Sequence, residues 1–176
     1  MREYKELVLD ACIARSAGDV AEAPNSKYCR EFIDEFVKSK HKLIMTEELL
    51  AEWNKHESRF SRKIRVMLIT KQRVLFKKCK NDVLRQSVNN IPDKSRIGAL
   101  MKDIHLVEAA NTGDNIIVSL DEKIHRHFLY LKDYSPAGFI DQLNWINPTK
   151  SPENVIDWFR NGAELIPEIQ LESSIS

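Results

Sequence analysis

Short apolar runs that stop abruptly at polar residues, separated by helix-length segments, constrain this chain most. "ELVL" at residues 6–9, "KLIM" at 42–45 and "NIIVSL" at 115–120 carry apolar residues side by side, without the in–out alternation of a half-exposed strand. Strands of that kind are buried on both faces. "DQLNWIN" at 141–147 reads as a last strand. Between them the spacing predicts helices over about 27–39, from Thr46 through Trp53, over 97–111, over 122–131 and over 153–161, with Ser26 and Thr46 as N-caps and Gly113 as a left-handed C-terminal residue. The segment 60–89 reads as two further helices, and 17–26 as a loop. Strands alternating with helices predict an α/β fold: a central parallel sheet covered on both faces, in three layers.

A chain of 176 residues suits one domain. The main body is expected over 1–134, a strand and helix completing the same domain over 135–166, and a frayed tail over 167–176. No apolar run approaches the ~20 residues that span a bilayer, and the N-terminus lacks a signal-peptide layout. Three cysteines, Cys12, Cys29 and Cys79, have no paired metal-type spacing and read as reduced thiols. The expectation is a cytoplasmic protein with no membrane partner. No G-x-G-x-x-G, P-loop, H-E-x-x-H or G-x-S-x-G segment occurs, so nucleotide-cradling, zincin and hydrolase-elbow chemistries have no support.

Two of the strands run directly into a carboxylate. Leu9 is followed by Asp10, and the strand through Val118 by Ser119, Leu120 and Asp121. In open parallel sheets the site lies outside the carboxyl ends of the strands, so the two aspartates meet if their strands are neighbours. Glu52, in the helix after the second strand, and Asp103, in the helix before the third, are the remaining candidates. Each acid alone is explained by a turn, a cap or a solvated helix face. Four carboxylates converging would repel one another unless cations neutralise them, and Mg²⁺ or Mn²⁺ are the natural partners for oxygen ligands. His105 lies about 200° around the helix from Asp103, which favours a surface or packing role. His125 and His127, two apart on a helix, make a poor metal pair.

Charge is distributed unevenly. From Lys55 to Lys80 there are ten Lys/Arg and a single acid, Glu57. A solvated helix face explains this in general. Beside an acidic metal site it also answers the need to bring in a phosphodiester backbone. Arg59, Arg62, Lys63 and Arg65 are the candidate residues for that nucleic-acid contact.

"LVLDACIA", "LIMTEELLAEW", "KDIHLVEAA" and "IIVSLD" resemble, in order, the four signature segments of PIN-domain nucleases. The resemblance covers residues 5 to about 130. It implies a three-layer α/β/α sandwich and a Mg²⁺- or Mn²⁺-dependent endoribonuclease, with Asp10, Glu52, Asp103 and Asp121 binding metal or activating water and Ser119 supporting them from behind. Glu48, one helical turn before Glu52, is the alternative second acid. RNA rather than DNA as substrate comes from the resemblance alone. So do an antitoxin-like inhibitor and a homo-oligomer as partners, since many members are toxins of toxin–antitoxin pairs. The sequence departs from the family at Cys12, where a Thr, Ser or Asn is usual two residues after the first aspartate. The other reading is a PIN-like binding or scaffold module without activity.

Overall fold

The computed structural model describes residues 4–18 and 23–164. The strands are β1 (Glu6–Leu9), β2 (Lys42–Met45), β3 (Val74–Phe76), β4 (Ile116–Val118) and β5 (Asn144–Ile146). All pair in parallel in the order β3-β2-β1-β4-β5. Leu7, Val8, Leu9, Leu43, Ile44, Met45 and Ile116 to Val118 are essentially without solvent contact, which accounts for their continuous apolar runs.

The helices are α1 (Ala11–Ser16), α2 (Ala23–Lys38), α3 (Glu47–His56), α4 (Arg59–Thr70), α5 (Asp82–Asn90), α6 (Ile97–Ala110), α7 (Glu122–Leu131) and α8 (Pro152–Arg160). The strand order moves one way from β1 to β3 and the other way from β3 to β5. Right-handed crossovers therefore put α1, α2 and α4 on one face and α5, α6 and α7 on the other, giving the α/β/α sandwich. α8 returns to α2, where Phe159 meets Phe32 with ring centroids 4.9 Å apart, so the C-terminal strand and helix complete the same unit. The expected tail at 167–176 lies outside the described residues.

Several local expectations change. The stretch 60–89 holds β3 between its two helices. This strand is three residues long, lies at the sheet edge and is only partly buried, so Arg73 and Lys77 can flank it and it carries no buried-strand signature. Arg73 instead donates to the carbonyls of Phe36, Val37 and His41, a cation closing the C-terminal end of α2. Ser26 is no cap: it is buried inside α2, which begins at least three residues earlier. Thr46 does cap α3, accepting from the Leu49 N–H at 3.1 Å. Gly113 is required for space rather than for a left-handed backbone. A Cβ there would lie 2.5 Å from Ile44 Cδ1 and 2.7 Å from the Glu6 carbonyl oxygen, whereas the positive φ nearby belongs to Asn115.

Candidate active site

The strand order reverses between β1 and β4, and that is where the two aspartates stand. Leu9 pairs with Val118, and the Asp10 N–H donates to the Val118 carbonyl at 3.0 Å. Ser119, fully buried, joins them. Its hydroxyl donates to Asp10 Oδ2 at 2.6 Å and accepts from the Asp121 N–H at 3.0 Å. Both aspartates are also N-caps: Asp10 Oδ1 accepts from the Cys12 N–H and Asp121 Oδ1 from the Ile124 N–H. The capping and the site readings thus apply to the same side chains, and each keeps its second carboxylate oxygen for the crevice or its supports.

Cys12 fills the polar contact that its departure from the PIN pattern put in question. Its thiol donates to Asp10 Oδ2 at 3.0 Å and accepts from the Leu120 N–H at 3.3 Å. Burial pushes this thiol far above its ordinary range and the Asp10 charge adds to that, so it stays a neutral donor.

Glu52 arrives on α3, which touches both α1 and α6. Trp53, buried beside it, donates its indole N–H to the Leu9 carbonyl at 3.0 Å and so pins α3 to the end of β1. Asp103 sits on α6, which crosses β1, β2 and β4. Its carboxyl is pushed up to about 6, chiefly by burial, with the charges of Asp10 and Glu52 adding and those of Lys102 and His105 opposing. Asp103 therefore lies in the field of both Asp10 and Glu52, and the Asp121 backbone is tied to the Asp10 carboxylate through Ser119. Glu48 faces elsewhere: its charge acts on Cys79 and Arg85, beside the buried Arg85–Glu108 pair. Of the two, Glu52 is the one whose charge acts on Asp103.

Sequence reasoning set His105 apart from the acids, but the fold brings it to them. It is 4% exposed, and its Nε2 lies 3.5 Å from Glu52 Oε2 without a hydrogen-bond partner. The register of α3 against α6 decides this, and neither helix carries that register in its own sequence.

Among the described residues, no three His, Cys, Asp or Glu side chains stand close enough together to hold a metal ion between them. The donor set still suits Mg²⁺ or Mn²⁺, since Mg²⁺ keeps several waters and needs only one or two carboxylates. A carboxyl raised chiefly by burial, with the charges of two other acids adding, and a buried nitrogen lacking a partner both mark a place where a cation would be favourable.

The basic segment divides. Arg65 grips Glu57, whose side chain is 1% exposed, through bonds of 2.7 and 2.9 Å and also reaches Asn54; Arg62 joins at 3.1 Å. Burial opposes ionisation of Glu57, but the two guanidiniums outweigh it and lower its pKa. Arg62 and Arg65, expected to meet RNA, thus have an internal partner. Arg59 and Lys63 are exposed and form no ion pair with any described residue. Their helix is seated on α1, where Ser61 Oγ donates to the Ala14 carbonyl at 2.7 Å, one turn beyond Asp10.

No family model, curated protein or solved structure matches the chain. Among the described residues, no helix is long and apolar enough to cross a membrane.

Proposed function

We propose that this chain is a Mg²⁺- or Mn²⁺-dependent endoribonuclease of the PIN type. The observation that carries the reading is the meeting, at the reversal point of the sheet, of Asp10 and Asp121 through one buried serine, with Asp103 held in the field of Asp10 and Glu52. A bound ion would supply water activation and charge neutralisation at the phosphate. Asp10, Glu52, Asp103 and Asp121 are the residues that would hold it. Burial pushes the Asp103 carboxyl up to about 6 without an ion, so binding one there would release its proton. Ser119 and the Cys12 thiol orient Asp10. Arg59 and Lys63 would draw the RNA backbone toward an edge that otherwise repels it. The setting that goes with this reading is a cytoplasmic nuclease, free-standing or restrained by an antitoxin-like protein, alone or as a homo-oligomer.

The rival reading, a PIN-like scaffold without activity, is favoured by one feature: among the described residues, no three donors are gathered at ligating distance. RNA cleavage separates the two. Wild-type protein should cut RNA with Mn²⁺ and stop on chelation. Asp10→Asn and Asp121→Asn keep the helix caps, because Asn caps as well as Asp, and should still lose cleavage. Cleavage that persists in chelator, or at the wild-type rate in both variants, would refute the metal-site assignment.

A further inference from the structure

His105 is the buried group that the proposed function leaves unused. Its Nδ1 lies 3.1 Å from the Lys102 carbonyl oxygen, and a carbonyl only accepts, so Nδ1 carries the hydrogen. In the neutral ring this leaves the lone pair on Nε2. That atom is buried, lacks a hydrogen-bond partner and faces the Glu52 carboxylate at 3.5 Å. A buried acceptor facing a partly exposed carboxylate is unfavourable unless a cation, a metal ion or a proton, lies between them. Metal-ligating histidines commonly donate their other ring N–H to a backbone carbonyl, which fixes the tautomer as it is fixed here. Two donors that each bind one ion at about 2.1 Å stand about 3–3.5 Å apart at cis or tetrahedral angles, the spacing found here.

We propose that His105 Nε2 and Glu52 together ligate the divalent ion, and that this nitrogen turns the site's preference from Mg²⁺ toward a transition-metal ion such as Mn²⁺. Imidazole favours transition ions, whereas Mg²⁺ prefers oxygen throughout. The inference rests on the endoribonuclease reading for the existence of the site, and it adds a ligand that the four acids do not include. Among the described residues no third donor stands beside this pair, so water would fill the remaining positions of the ion.

Mn²⁺ itself is the probe. Mn²⁺ bound to the full chain should show ¹⁴N modulation from a directly bound imidazole in pulsed electron paramagnetic resonance, a readout that needs no variant. Titration followed by the free-Mn²⁺ signal, with Mg²⁺ as competitor, should show Mn²⁺ preferred. His105→Gln should weaken Mn²⁺ by about 10-fold or more, as ligand-shell changes do, and leave Mg²⁺ within about twofold. Bound Mn²⁺ without nitrogen modulation, or an unchanged Mn²⁺/Mg²⁺ ratio in the variant, would overturn the proposal and assign His105 to an ion pair with Glu52, with the metal-dependent nuclease reading intact. Failure of wild-type protein to bind either ion would overturn both.

Discussion

Replacing Asp103 by Asn should make the protein more stable while abolishing cleavage, and only above a certain pH. Asp103 is raised from an ordinary 3.8 to about 6. A shift of that size corresponds to about 3 kcal/mol of unfavourable ionisation. The side chain is only half-buried, and solvent screening cuts this to about 1–2 kcal/mol. Because the folded pKa lies above the unfolded one, Asp103 contributes stability that is complete below 3.8 and is lost as pH rises through about 6. Asn has no charge to lose. The variant should therefore match the wild type near pH 4 and exceed it by about 1–2 kcal/mol at pH 8, a gain of about 3–6 °C in melting temperature for a chain of this size. Thermal melts of both proteins in chelator, at pH values from 4 to 8, measure the difference directly, with other titrations common to the two. Mn²⁺ at about 100 times its dissociation constant adds about 2.7 kcal/mol to the wild type and should reverse the order. A melting difference that does not change with pH, or an Asn variant less stable at pH 8, would refute the reasoning that burial, with Asp10 and Glu52 adding, raises this carboxyl.

Four further outcomes follow from the structure. Ser119→Ala removes the bond that joins Asp10 to Asp121; denaturant melts should show a loss of about 1–3 kcal/mol, and cleavage should drop with it. Arg85→Met strands Glu108, which is 3% exposed and held by two 2.7 Å bonds from Arg85; about 3 kcal/mol of stability should be lost in denaturant melts, while activity per folded molecule stays the same. Glutamate at both Arg59 and Lys63 should weaken RNA binding and flatten its salt dependence by roughly two contacts' worth, as read by binding isotherms at several salt concentrations. Arg65→Ala should instead lower the melting temperature, because Glu57 would be left buried with Arg62 alone.

What could be read along the chain was whatever burial on both faces imposes locally. Leu7 to Leu9 and Ile116 to Val118 are continuous apolar runs because helices cover both sides of β1 and β4, and the aspartates that follow are visible because a parallel strand must leave the sheet at its carboxyl end. Thr46 announced α3 because a cap is a contact across three residues. The same locality hid β3, whose edge position removes the burial that marks a strand. The tertiary structure decided the rest. Strand order made β1 and β4 neighbours, so that one serine could touch both Asp10 and Asp121. The packing of α3 on α6 put Asp103 in the field of Glu52 and brought His105 to within 3.5 Å of the Glu52 carboxylate. The turn between α3 and α4 took Arg65 away from solvent to neutralise Glu57. These are contacts between residues tens of positions apart or across a turn, set by how whole elements pack, and no periodicity within a single element encodes them.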